Sequence, residues 1–187
     1  TENEELNIGA ILTTLVKNYA LVLIDCDFNT PLPYFENAQE IYLVQSMDIL
    51  TIQPLTAFLR ELKAKNILVQ EKMRAVINKE LRIKSLNSKV IIGGMSYYND
   101  PAMSFMTELF NKDSIRYCTI PFDEQVYAKY LEGLVNCKVS LNGYSKTFMQ
   151  ALKQLGNMVY PLLSNKYRPL ETYQEKDTFS SQMSNTL

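Results

Sequence analysis

A chain of 187 residues can form one domain with a substantial core, burying roughly 70% of the surface that its unfolded form exposes. Its apolar fraction of 47% and charged fraction of 21% are ordinary for a globular protein, and a net charge of −1 excludes a strongly basic surface that wraps nucleic acid by charge alone. No apolar run approaches a membrane span, and the absence of histidine excludes Ser-His-Asp triads, Cys-His dyads and His-ligated metals.

Ile8, Ile11, Leu12, Leu15 and Val16 recur at helical spacing, so residues 4–17 read as an amphipathic helix. Ala20-Leu21-Val22-Leu23-Ile24 is a continuous apolar run ending at Asp25, the pattern of a strand covered on both faces. Pro31 and Pro33 mark a loop over 28–37. Ile41-Tyr42-Leu43-Val44 is the second expected strand. A helix follows, with Ile52, Leu55, Leu59 and Leu62 on one stripe and Thr51 as its expected N-cap. Ala75-Val76-Ile77 is a short third strand ending at Asn78. Residues 86–96 read as strand or helix around Val90-Ile91-Ile92, with helix preferred.

Asp100-Pro101 has the form of a helix start, and Ala102, Phe105, Met106, Leu109 and Phe110 would give that helix its apolar face. Ile115 to Ile120 is the fourth strand, closed by Pro121. Tyr127, Tyr130, Leu131 and Leu134 mark a further helix, and Phe148, Leu152, Leu155, Val159 and Leu162 a long final one. Residues 165–187 are polar and aperiodic, so the chain divides into a domain over 1–164 and a tail or linker over 165–187. Strands alternating with helices imply an α/β fold: a mainly parallel sheet with helices on both faces. Cys26, Cys118 and Cys137 form no Cys-x-x-Cys pair and sit in or near apolar runs. They read as buried reduced thiols, and a cytoplasmic location follows.

Ligands of open parallel sheets sit beyond the carboxyl ends of the strands. Four polar residues fall there: Asp25 and Asp27 after the first run, Asn78 after the third strand, and Asp123 after Pro121. A strand-end carboxylate suits a Mg²⁺ ion, and an Asn offers the donor and acceptor that match a purine edge. Each also has a plain structural reading. Asp25 or Asp27 could cap a turn, Asn78 could close a loop, and Asp123 could cap the next helix.

Taken together, these segments resemble the back half of the ParA/MinD/CpaE-type P-loop ATPases, the deviant-Walker group. Tyr19 to Asp25 is similar to their Walker B strand, and Ala38 to Gln45 to the strand after it. Arg74-Ala75-Val76-Ile77-Asn78-Lys79 resembles the segment whose Asn contacts the base. Thr119-Ile120-Pro121-Phe122-Asp123-Glu124 resembles the Ile-Pro-Tyr-Asp segment bordering the nucleotide, and Ser145 with Phe148 and Leu152 the closing helix. The resemblance covers roughly residues 8–163 and rests on the order and spacing of these segments. It implies nucleotide contacts at Asn78, Pro121 and Asp123 and a Mg²⁺ contact at Asp25 or Asp27. It also implies a nucleotide-switched dimer that positions plasmids, septa, pili or secretion and conjugation machinery.

The sequence departs from that pattern in places. Ala20 stands where the family has Asp, Cys26-Asp27 stands where it has Thr-Pro or Ser-Pro, and the stretch 80–114 is long. Above all, no Gly-Lys dipeptide exists, so the phosphate loop Gly-x-x-x-x-Gly-Lys-Ser/Thr is missing. The family would place that loop roughly 80–120 residues ahead of Asp25. The acidic start at Thr1, without Met, is not a signal peptide and reads as that of a processed or excised piece. The expectation is no catalytic residue and no ATP hydrolysis by this chain alone, with ATP or ADP and Mg²⁺ bound only where a phosphate loop is supplied. In the family the phosphate-loop strand lies mid-sheet. Without it, self-association, an N-terminal segment or a partner chain is expected to complete the sheet.

The alternative is a degenerate, non-catalytic scaffold of the same fold. A receiver-like phosphoacceptor fits less well, because Asn78 rather than Asp ends the third strand. The tail is not a basic amphipathic helix, so it is not expected to attach to membranes. The Lys63/Lys65 and Lys79/Arg82/Lys84 clusters leave DNA binding open, though a solvated face explains them.

Overall fold

A computed structural model of the chain describes residues 2–100, 102, 106–138, 140 and 142–159, and for residues 2–6 the backbone path alone. Its centre is a sheet of three parallel strands: β1 (Ile41–Gln45), β2 (Met73–Glu80) and β5 (Arg116–Pro121). They lie in the order β1-β2-β5, with Ile41 opposite Met73 and Arg74 opposite Arg116. Each strand therefore adds beside the one before it in the chain. Two short strands, β3 (Tyr97–Asn99) and β4 (Met106–Glu108), form a separate antiparallel pair.

One face of the sheet carries Ile41, Leu43, Met73, Ala75 and Ile77. These pack with Leu59 and Leu62 of α3 (Ile52–Ala64) and with Ile91, Ile92 and Met95 of α4 (Ser88–Met95). Phe35 of α2 (Leu32–Glu36) joins the same core, and its ring meets Phe58 edge-on. The opposite face carries Val76, Cys118 and Ile120, covered by Ala151 and Met158 of α6 (Lys146–Val159). Helices thus lie on both faces, as expected. On that face of β1 Tyr42 packs against the α6 cluster, while Val44 is 63% exposed among the described residues.

Helix ends explain the boundaries. Asp48 caps the 3₁₀ turn Ile49–Thr51 that leads into α3, accepting from Leu50 N at 3.0 Å. The expected cap, Thr51, instead donates its hydroxyl to Asp48 O. At the other end Ile67 N reaches Leu62 O and Asn66 N reaches Lys63 O, while Asn66 takes the left-handed conformation (φ 58). That is a Schellman ending with Asn in the position glycine usually fills. α5 (Glu124–Val135) ends the same way: Lys138 N bonds Gly133 O and Cys137 N bonds Leu134 O, with Cys137 at φ 50.

A buried ion pair joins the amino ends of β1 and β2. Arg74 Nη2 lies 2.6 Å from Glu40 Oε1, with side-chain exposures of only 11% and 9%. The Tyr42 hydroxyl donates to Glu40 Oε2 at 2.5 Å, and Arg74 Nη1 donates to the carbonyls of Glu71 and Met73. Burial, then the Glu40 carboxylate, pushes the Tyr42 phenol well above its usual range.

Two expected elements are absent. Ala20 to Ile24, read as the first strand, follows an irregular path, with Leu23 75% exposed. A strand exists only beside another, and no described segment pairs with this run. The helix expected from Asp100-Pro101 is contradicted from Met106 to Glu108, which is strand; residues 101 and 103–105 lie outside the described residues. Asp100 Oδ1 accepts from Ala102 N, and its other oxygen pairs with Arg60 at 2.9 Å. Lys63 donates to the Glu108 carbonyl at 2.7 Å, so this lysine anchors β4 and is not merely solvated. The tail over 165–187 and Leu162 also lie outside the described residues. The thiol expectation holds for Cys118 and fails for Cys26 and Cys137, which are exposed; all three are free. No helix among the described residues is long and apolar enough to cross a membrane.

Candidate functional site

Parallel strands present their carboxyl ends at one edge of the sheet. Here that edge carries Gln45 at the end of β1 and Ser46 after it, Asn78 to Glu80 in β2, and Pro121 to Asp123 at the end of β5. Gln45 is almost fully buried. Its amide nitrogen donates to Ser46 O, Asp48 O and the Thr51 hydroxyl, so it braces the β1–α3 turn.

The β2 end is irregular. The ladder with β5 shifts between Ile77 and Glu80, so that Glu80 rather than Lys79 lies opposite Pro121. Asn78 and Lys79 form the bulge. Lys79 takes the left-handed conformation at φ 56, and its amide donates to Asn78 Oδ1 at 2.9 Å. Phe122 N then bonds Glu80 O at 2.8 Å and carries the pairing past the strand end. A left-handed lysine costs about 1–2 kcal/mol. Bulges and such strain concentrate where a side chain must be aimed.

Asp123 caps α5, accepting from Val126 N at 3.1 Å. The Ser145 hydroxyl beside it, then the Val126 amide, hold its carboxyl below the usual range. Ser145 in turn caps α6, accepting from Phe148 N. One carboxylate and one hydroxyl thereby cap the starts of two helices, α5 directly after β5 and α6 further along the chain.

The structure therefore brings Asn78, Pro121 and Asp123 to neighbouring strand ends. It does not bring Asp25 or Asp27 there as strand-end groups. Asp27 closes a turn, accepting from Asn29 N and the Thr30 hydroxyl, which hold its carboxyl below the usual range. Asp25 is exposed on the same irregular segment. No group of three or more acidic or cysteine side chains among the described residues could hold a metal ion. Asp25 and Asp27 alone are too few ligands for Mg²⁺, unless water or phosphate supplies the rest.

Sequence reading includes Lys79 and Phe122 in the segments around Asn78 and Asp123 without giving either a role, and has Tyr127 only on a helical stripe. The Lys79 ammonium lies 5.2 Å from the centre of the Tyr127 ring, and Phe122 lies 6.2 Å from the same ring. Nothing in the residue type announces a left-handed lysine, since glycine and asparagine are the usual signals. Compared with protein-family models, curated proteins and solved structures, the chain matches none of them.

Proposed function

We propose that this chain is the base-side portion of a ParA/MinD/CpaE-type nucleotide-binding ATPase, a positioning or assembly switch that needs a phosphate loop supplied from outside these residues. One observation carries the reading. Three adjacent parallel strands end at one edge, where Asn78 lies in the β2 bulge and Glu80, two residues on, pairs opposite Pro121. A base bound there would meet the Asn78 amide and the Pro121 ring, with Asp123 held ionised beside it. The exposed Val44 and the outer edge of β1, unpaired among the described residues, support the need for a further strand, from the same protein or a partner. Mg²⁺ and the phosphates would belong mainly to that supplied part.

A second reading, the non-catalytic scaffold, draws on a specific observation too. Asp27 closes a turn and Asp123 caps a helix, so both carboxylates already have structural work.

Fluorescent ATP titrated into the full chain separates the two. The ATPase reading expects weak binding of adenine nucleotide, little affected by Mg²⁺, lost in Asn78→Ala, and no steady turnover. Binding indifferent to Asn78→Ala, or none at millimolar nucleotide, favours the scaffold. Steady hydrolysis by the chain alone would overturn the claim that the phosphate loop is required. The coding sequence ahead of Thr1 offers an independent check, because a glycine-rich loop bearing Lys there is what the first reading requires.

A further inference from the structure

α5 is barely anchored to the rest of the fold. Val126 alone of its twelve residues is buried. Tyr127, Tyr130, Leu131, Leu134 and Val135 stand open to solvent, at 41%, 50%, 44%, 53% and 84% exposure. At about 100° of turn per residue, the first four fall within an arc of about 100°, and Val135 lies beside it. That is the apolar stripe of an amphipathic helix, turned outward. A helix of this length is marginal in water unless such a stripe is packed. Asp123 and the Schellman ending cap the two ends of α5, but caps cover no side chains.

The charges select what covers it. Lys129 and Glu132 lie on the far side of the helix, roughly 150° from the middle of the arc. The charges near the stripe stand at its ends: Glu124 in the first turn, Lys138 just past the last. Lys79, over the Tyr127 ring, is offset by Asp123 and Glu124 at the same end. The stripe thus offers no excess of cations, which a polyanion or an anionic membrane would need. A second α5 running the opposite way supplies a full complement. It brings an apolar stripe of equal length, a lysine to meet Glu124, a glutamate to meet Lys138, and an opposed helix dipole.

We propose that α5 pairs with α5 of a second copy of this chain, antiparallel about a twofold axis at Leu131. Tyr127 then lies opposite the partner's Val135, and Glu124 beside the partner's Lys138. The contact is self-complementary and closes at two copies. The five exposed side chains leave roughly 500 Å² in solvent on each copy, so the pair buries about 1,000 Å², where specific interfaces begin. A contact of that size is weak and reversible, and half-dimerised at about 10–100 μM. The near end of the stripe, at Tyr127, adjoins the Lys79 bulge, whereas the axis lies a full turn further along α5. The pairing therefore goes beyond the nucleotide reading and needs no nucleotide. It is also distinct from any strand added at the outer edge of β1.

Sedimentation velocity of the full chain without nucleotide, from about 5 to 500 μM, tests it. The expected result is a mass that rises from monomer to dimer and stops there. Amide exchange within α5 should slow over the same range. Leu131→Glu, which sets two carboxylates against each other at the axis, should weaken the dimer about tenfold or more. Leu131 is exposed, so the melt of that variant at low concentration should match the parent's. Glu124→Lys and Lys138→Glu should each weaken the dimer about fivefold, and the two together should restore it. Val44→Lys and Asn78→Ala should leave it unchanged. A monomer throughout overturns the proposal. So does a dimer that Leu131→Glu leaves intact, or a double reversal as weak as the singles. Association that Val44→Lys abolishes and Leu131→Glu does not belongs to the sheet edge, and association that requires adenine nucleotide belongs to the nucleotide site; either overturns the proposal.

Discussion

Replacing Glu40 by glutamine leaves the Arg74 guanidinium buried without its counter-charge. The geometry sets the cost. Glu40 receives the Arg74 Nη2 bond at 2.6 Å and the Tyr42 hydroxyl bond, and neither side chain of the ion pair is more than about a tenth exposed. Breaking one partner of a buried pair costs about 3–5 kcal/mol. Two carbonyls, those of Glu71 and Met73, still accept from Arg74 Nη1, while Arg74 Nε already lacks a partner. The retained bonds favour the lower end, about 3 kcal/mol. A chain of this size would then melt about 6–12 °C lower. The double variant Glu40→Leu with Arg74→Met should recover most of that loss, since an apolar pair of similar volume often equals a buried ion pair. Urea unfolding followed by circular dichroism measures both, read as a shift in midpoint at constant slope. A loss below about 1 kcal/mol for Glu40→Gln would mean that the pair behaves as an exposed one, and the reasoning fails. It fails equally if the double variant is as unstable as the sum of the singles.

Cys137→Gly should stabilise the chain by about 1–2 kcal/mol, because glycine removes the left-handed strain at the end of α5; an unchanged urea midpoint would contradict this. Tyr42 is neutral in the fold and its pKa is raised there. Its contribution is complete below the unfolded value of about 10 and declines as pH rises past it, when the unfolded phenol ionises first. Tyr42→Phe should therefore flatten the alkaline loss of stability, and melts at paired pH values either show the difference or rule it out. Asp123 has the opposite sign. Its lowered pKa contributes stability above the ordinary carboxylate range that is lost as pH falls through the folded value. Asp123→Asn, which keeps a capping oxygen, should lose less stability on acidification than the parent chain, and identical acid limbs would refute the assignment.

The sheet was legible because its signals were local. Ile41 to Val44 is an apolar run of strand length, Ile115 to Ile120 stops at a proline, and Ser145 opens α6 with a hydroxyl at the cap. The misreadings came from segments whose partners decide their form. Ala20 to Ile24 has the composition of a buried strand, yet a strand needs a neighbouring ladder, and here the run has none among the described residues. Met106, Leu109 and Phe110 fit a helical stripe, yet they also fit an edge strand followed by two buried residues. Lys63 binding the Glu108 carbonyl and Arg60 binding Asp100 favour the strand, and both contacts span some forty residues that no local pattern reports. Asn78 and Asp123 do lie at strand ends, while the bulge at Lys79 depends on a register shift against β5. Carboxylates proved the weakest guide, because capping a turn and holding a metal call for the same residue in the same place.

The strand order also governs how the chain can be made. Each parallel strand lies beside its predecessor, so no strand waits for a later one to fill a gap between them. During synthesis β1 and β2 can pair as soon as Glu80 clears the ribosome, and β5 docks on a ladder already formed. Among the described strands the sheet thus extends in one direction as the chain lengthens, from β1 toward β5.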